Sequence, residues 1–381
     1  MALADTAPAI TAERQSRSFF SPTLDFLCLG GGSLVMIPIL AFAIPDDLNG
    51  ETLLLTALLA NVINHPHFAH SYQIFYRTYP QVMRQPDMSP SLRLRYLWAG
   101  VISPVIILGA LAAALFVGDQ QTLGLAVNAM GFFVGWHYVK QGYGMIMVDA
   151  ARLRCFFGER QKKILLVNSY LCWGLAWALA NRTVAERDLW GISYAAIDVP
   201  LPVLWGFILA VSVSSLLVLV TLLQHVKAHG GATPINGIMA YVAALYPWLL
   251  LGSEPIVGAL IPAFHSLQYL IIVWRVQLNV ERAKPGASEH VDWMHRFGIG
   301  FRRDTARFVG FLGNGFVIGL LGFWLIPLLA GFYVAYDRAE YGPNLFLFLF
   351  WIFINIHHYF IDNAMWRKEN PHTLKYLFAK R

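Results

Sequence analysis

LFLFLFWIFINIHHYFIDNAMWR, residues 345–367, runs from Leu345 to Ile361 without one Asp, Glu, Lys or Arg, then meets Asp362 and, five residues on, Arg367. About twenty apolar residues at a helical rise of about 1.5 Å cross a hydrocarbon core about 30 Å thick. Within the run stand His357, His358 and Asp362, groups that lipid solvates badly and that therefore turn toward protein. The stretch reads as a membrane-crossing helix with a polar inner face.

Working outward, similar apolar runs cover 23–44, 52–72, 94–117, 122–147, 163–181, 201–224, 235–253, 256–274 and 306–335, and the opening stretch belongs to a tenth at 343–366. Composition agrees, with 57% hydrophobic and 13% charged residues in 381, far from the profile of a soluble domain. The expected fold is all-α, a polytopic integral membrane bundle of about ten transmembrane helices. Residues 1–22 form an N-terminal segment, 23–366 a single transmembrane domain, and 367–381 a tail. The polar stretch 275–307, with Trp293, Phe297, Ile299 and Phe301 among basic residues, suits a loop at the headgroup boundary.

Charge supplies the orientation. With ten spans, both termini and the loops after even-numbered helices share one side, which holds 24 of the 28 Lys and Arg residues. Arg182, Arg187 and Arg338 fall on the other side, and Lys140 lies inside a span. The positive-inside rule places both termini in the cytoplasm and the protein in the cell's inner (plasma) membrane. The pI near 9.2 thus follows from topology and does not indicate nucleic acid. Cys28, Cys155 and Cys172 lack metal-ligand spacing, and the polar N-terminus shows no removable signal peptide.

Three histidines stand ten residues before an aromatic–Arg pair: His67 before Tyr76–Arg77, His265 before Trp274–Arg275, and His357 before Trp366–Arg367. Ten residues rise about 15 Å, half the core thickness, so the three imidazoles share one depth near the midplane. His65, His67, His70, His137, His265, His357 and His358 all fall on even-numbered spans. His225, His229, His290, His295 and His372 belong to the basic side's loops, helix ends and tail. This segregation points to a buried multi-imidazole centre rather than to scattered packing histidines.

Each cluster adds local chemistry. Pro66 removes a backbone donor and is expected to kink its helix, bringing His65 and His67 toward one site, while His67 and His70 share a face at i, i+3. His137, Lys140 and Gln141 share a face, as do His265, Gln268 and Tyr269. Lys140 either snorkels toward water or meets an anionic group in the bundle. His358 and Asp362 are spaced i, i+4, as two ligands or as a ligand with the acceptor that orients it.

The expected metal ligands are His65, His67, His70, His137, His265, His357, His358 and Asp362, with Tyr269, Tyr359, Lys140, Gln141 and Gln268 as catalytic or positioning groups. Imidazole with carboxylate suits Fe, Zn, Mn or Cu, and the wealth of imidazoles favours iron, one or two ions. A dry iron centre in lipid fits an oxygenase, hydroxylase or desaturase acting on a hydrophobic lipid or isoprenoid substrate, served by an electron-donor protein. Two other classes share the sequence features. One is a proton-coupled or metal-ion transporter using Lys140, Asp362 and the histidines as a relay; the other is a bis-histidine haem or quinone protein.

The His65 to His70 spacing resembles the first histidine box of membrane fatty acid desaturases and hydroxylases, although Ile354 occupies the place where their His-x-x-His-His box has its leading histidine. The order of single histidines on separate spans resembles that of the bacterial membrane β-carotene dioxygenases. Neither resemblance covers the chain, and no residue is carried over from either.

Overall fold

The computed structural model describes residues 18–43, 49–118, 120–183, 188–189, 192–251, 255–292, 296–297 and 300–378. Arg14, Arg17, Arg187, Trp293, His295 and Ile299, together with the outer parts of both predicted tails, lie outside the described residues. The helices are α1 Pro22–Phe26, α2 Gly32–Ala43, α3 Asn49–Leu59, α4 His65–Arg84, α5 Pro90–Leu97, α6 Ser103–Val117, α7 Gln120–Arg152 and α8 Glu159–Thr183. They continue as α9 Leu201–His229, α10 Ile235–Leu251, α11 Pro255–Arg282, α12 Arg303–Leu320, α13 Ile326–Tyr333, α14 Arg338–Tyr341, α15 Leu345–Met365 and α16 Pro371–Leu377. A two-stranded antiparallel ribbon, Asp188–Leu189 with Ile192–Ser193, is the one named sheet among the described residues.

The all-α expectation holds, and the chain is a membrane protein by the length and composition of its helices. Among the described residues six helical segments are long and apolar enough to cross a bilayer: Pro22–Ile39, Pro90–Val117, Glu159–Arg182, Leu201–Ala232, Arg303–Tyr333 and Leu345–Met365. That is fewer than the ten the apolar runs predict. Along α7 the reason is local, since Asn128, His137, Lys140 and Gln141 dilute an otherwise apolar helix. α11 continues to Arg282, so the first eight residues of the polar stretch 275–307 are helical. Beyond Arg282 the chain folds back on itself, with the Val291 N–H donating to Phe301 O at 3.1 Å and the Arg303 N–H to Glu289 O at 2.8 Å.

Burial is reversed relative to a soluble domain. Phe116 is 91% exposed and Leu209 67%, while His67, His70, His357 and His358 are each 1% exposed. Apolar side chains face outward, where lipid solvates them, and polar groups turn inward, where protein satisfies them. One apolar cluster joins α7, α8, α9 and α10 around Ile146, Leu165, Val218 and Tyr241. A second joins α4, α5, α11, α12 and α15 around Phe75, Tyr96, Val273 and Ile361. The inner polar groups of α7 meet those of α4, α11 and α15 between the two.

Proline shapes three of these helices. The π-helical turns Ala60–Asn64, Trp98–Ile102 and Leu321–Leu325 each end two residues before a proline, Pro66, Pro104 and Pro327. Proline cannot donate to the preceding turn and its ring crowds the carbonyl there; a widened turn relieves the crowding. The break expected at Pro66 takes this form. At Pro104 the carbonyls left without helical donors find others: Gly100 O accepts from Tyr76 Oη at 3.2 Å, and Ala99 O is 2.8 Å from His357 Nε2.

Candidate metal centre

His67 of α4, His137 of α7, and His358 with Asp362 of α15 converge at one buried point. One nitrogen of each imidazole and one carboxylate oxygen all lie within 4.8 Å of one another. Asp362 Oδ2 is 3.4 Å from His358 Nε2 and 3.7 Å from His137 Nε2. The His67 and His358 rings meet edge to face with centroids 4.4 Å apart, and those of His137 and His358 are 4.9 Å apart. The four come together because α15 packs against both α4 and α7, and because His358 and Asp362, one turn apart, present a single face to both.

Asp362 Oδ1 accepts from Tyr269 Oη at 3.0 Å, and that phenol oxygen in turn meets Ser71 Oγ at 2.5 Å and Trp366 Nε1 at 3.3 Å. These contacts fix the carboxylate with Oδ2 turned to the histidines. His67 is fixed as well. Ser266 Oγ donates to Asn64 Oδ1 at 2.7 Å and lies 2.9 Å from His67 Nδ1. With its single hydrogen committed to Asn64, the hydroxyl accepts from His67, which assigns the proton to Nδ1 and leaves the Nε2 lone pair for the centre.

His265 of α11 adjoins this group, its ring centroid 4.8 Å from His137 and 5.5 Å from His67. Its other face stacks on Tyr138 at 3.8 Å. His67 Nε2, His137 Nε2 and both ring nitrogens of His265 and His358 are buried without a hydrogen-bond partner. A buried polar atom left unsatisfied costs about 1–3 kcal/mol, and native proteins carry few of them. One nitrogen each from His67, His137 and His358, gathered beside a carboxylate oxygen, forms a donor set that can hold a metal ion, with His265 adjoining it. Donors around one ion with bonds of about 2.1 Å lie about 3 to 4 Å apart, so shifts of a few tenths of an ångström would close the group around one ion.

The other predicted ligands are placed elsewhere. His65 stacks on Phe323 at 3.9 Å, because residues two apart on a helix point about 200° apart and the widened turn precedes both histidines rather than separating them. His70 stacks on Phe311 at 4.3 Å, and its Nδ1 is 3.1 Å from Gln73 Oε1. Both rings are seated against α12 where Gly315 and Gly319 allow close approach: a Cβ on Gly315 would stand 2.1 Å from His70 Cε1, and one on Gly319 3.0 Å from His65 Cβ. His357 is committed at both nitrogens, Nδ1 to Tyr72 Oη at 2.5 Å and Nε2 to Ala99 O.

A cavity of about 490 Å³ leads away from the centre, lined near it by His137, Tyr269, Tyr359 and Asp362 and farther out by Lys140, Gln141, Arg367 and Lys368. Gln141 Nε2 donates to His265 O at 2.9 Å and lies 3.4 Å from Gln268 Oε1, so these two amides brace α7 against α11. The orienting roles of Ser266, Asn64 and Ser71 and the stacking of Tyr138 are not foreseen from sequence. Their signal was weak but present: each is a polar or aromatic residue adjoining a histidine inside an apolar run. No family model, curated protein or solved structure matches this chain.

Proposed function

We propose that the protein is a multi-pass enzyme of the inner (plasma) membrane, with both termini cytoplasmic, that oxidises a hydrophobic lipid or isoprenoid substrate at a non-haem iron centre of one or two ions. The observation that carries this reading is the convergence of one nitrogen each from His67, His137 and His358 with a carboxylate oxygen of Asp362 at the end of a largely apolar cavity. Its volume lies within the roughly 300–1,000 Å³ typical of ligand pockets. Bound iron supplies one-electron and O₂ chemistry that amino-acid side chains lack.

The chain's own residues prepare the site. Ser266 holds His67 in the tautomer that directs Nε2 to the centre, and Tyr269 holds Asp362. Tyr269 Oη can also pass a proton between Ser71 and Asp362 without a shift of backbone, since all three oxygens are already within hydrogen-bond reach. Tyr359 and the apolar part of the cavity wall offer a surface on which an apolar chain can lie beside the centre. An electron-donor protein on the basic side completes the reading wherever one oxygen atom leaves as water. Ring centroids 4.4 to 4.9 Å apart favour a bare ion over a porphyrin, which would need a slot between two axial histidines.

Elemental analysis with an optical spectrum, on protein purified in detergent from unsupplemented cells, tests the proposal. We expect one to two irons per chain and no Soret band, with the iron lost in His358→Ala and Asp362→Asn but kept in His357→Gln. Absence of metal from the wild type, or full metal content in both site variants, overturns it.

A further inference from the structure

Lys140 stands one helical turn from His137, about 4.5 Å along α7, and its side chain lines the cavity that ends at the centre. Among the described residues no carboxylate lies within ion-pair distance of it. Its ammonium is instead 5.7 Å from the ring centroids of Tyr143 and Tyr170. Asp362, an acid of the same cavity wall, is taken up by Tyr269 and the histidines.

Arg367 and Lys368 line the same cavity, with Glu369 beside them, so the charged groups of the lining outside the centre sum to two positive. The Arg367 guanidinium is steered by Asn363, whose backbone carbonyl accepts from Nε at 2.8 Å and whose side-chain oxygen accepts from Nη2. The remaining wall is largely apolar, with Met145, Met147, Val148, Ile272, Leu374 and Phe378. An uncharged hydrocarbon filling this space would leave the Lys140 cation facing apolar surface, which is costly. A chain ending in an anion would neutralise it while burying its apolar part.

We infer that the cavity takes an anionic amphiphile, an apolar chain with a single carboxylate or phosphate head held by Lys140 and Arg367. The inference rests on the cavity being the substrate site of the enzyme proposed above, and it narrows the substrate class from lipid to acidic lipid.

The test is equilibrium binding of radiolabelled hexadecanoate, hexadecyl phosphate and hexadecanol to the full chain in nanodiscs, with metal content measured on the same samples. At least one of the two acids binds at least tenfold more tightly than the alcohol, and whichever binds better identifies the head group. Lys140→Met and Arg367→Met each lower acid affinity at least tenfold, Lys140→Arg retains it, and none changes binding of the alcohol. Lys163→Met, on the same basic side but outside the cavity lining, leaves all three unchanged. Equal binding of acids and alcohol by the wild type, or undiminished acid binding by the Met variants, overturns the inference. Iron present without head-group discrimination sinks this inference alone; discrimination without iron sinks the proposed chemistry alone.

Discussion

Replacing Ser266 by alanine removes one hydroxyl that does not reach the centre, and it should weaken metal binding nonetheless. Ser266 is fully buried, its Oγ 2.9 Å from His67 Nδ1 and 2.7 Å from Asn64 Oδ1. Without the hydroxyl, Nδ1–H loses its acceptor, and the tautomer that presents Nε2 to the centre loses its advantage. Loss of such a partner behind a ligating histidine typically costs roughly 10–100-fold in metal affinity, about 1.4–2.7 kcal/mol. Asn64 Oδ1 is orphaned in the same step, at about 1–3 kcal/mol of fold stability, so thermal unfolding is measured in parallel. The assay is competition against a fluorescent chelator with detergent-solubilised protein, comparing the wild type, Ser266→Ala and Ser169→Ala, whose hydroxyl bonds Leu165 O at 2.9 Å, away from the centre. Ser169→Ala should bind as the wild type does. A Ser266→Ala protein that is folded and binds within threefold of the wild type would refute the assignment of the His67 tautomer and weaken that of His67 as a ligand.

Two further perturbations bear on parts of the fold that the centre does not use. Gly315→Ala sets a Cβ 2.1 Å from the His70 ring, which forces His70 off Phe311 or α12 away from α4; a loss of about 1–3 kcal/mol of stability is expected with metal stoichiometry unchanged, and a metal-free protein would return His70 to the ligand set. The third concerns acid. His372, on α16 outside the spans, has its pKa lowered to about 4 by burial and then by the charges of Arg77 and Lys375. The neutral form is favoured while α16 is docked, whereas an undocked His372 titrates near 6.5, so the undocked state binds more protons between these values. Docking is therefore at full strength above about pH 6.5 and weakens as the pH falls toward about 4. Hydrogen exchange of residues 371–377 should speed up between about pH 7 and 5 beyond its intrinsic dependence in the wild type and not in His372→Gln; equal profiles would remove His372 from the explanation.

How much of this was legible beforehand differs from residue to residue. The pairing of His358 with Asp362 was readable because both lie on one helix, where spacing alone sets the face, and the expected common depth of His67, His265 and His357 came from the ten-residue spacing of each to an Arg on its own helix. His357 could not be separated from its neighbour in the same way. Its two partners are Tyr72 and the Ala99 carbonyl, and that carbonyl is left without a backbone donor because Pro104 follows a widened turn about 250 residues earlier in the chain. His65 and His70 were misleading for a related reason: what they touch is the glycine face of α12, which no periodicity near residue 65 encodes.

The sequence by itself determined that this chain is a helical membrane protein, pointed to a common depth for several of its imidazoles, and left Lys140 among them unexplained. These follow from local rules, the length of apolar runs against bilayer thickness and the fixed rise of a helix, which need no knowledge of neighbouring helices. Tertiary structure decided which imidazoles meet. Rotation of each helix about its own axis and the order in which α4, α7, α11 and α15 pack select His67, His137 and His358 with Asp362, set His265 beside them, and turn His65, His70 and His357 to structural partners. In lipid the apolar faces of helices are solvated almost equally well at many rotations, so close glycine contacts and buried hydrogen bonds fix the arrangement, and those are pairings between residues far apart in the chain.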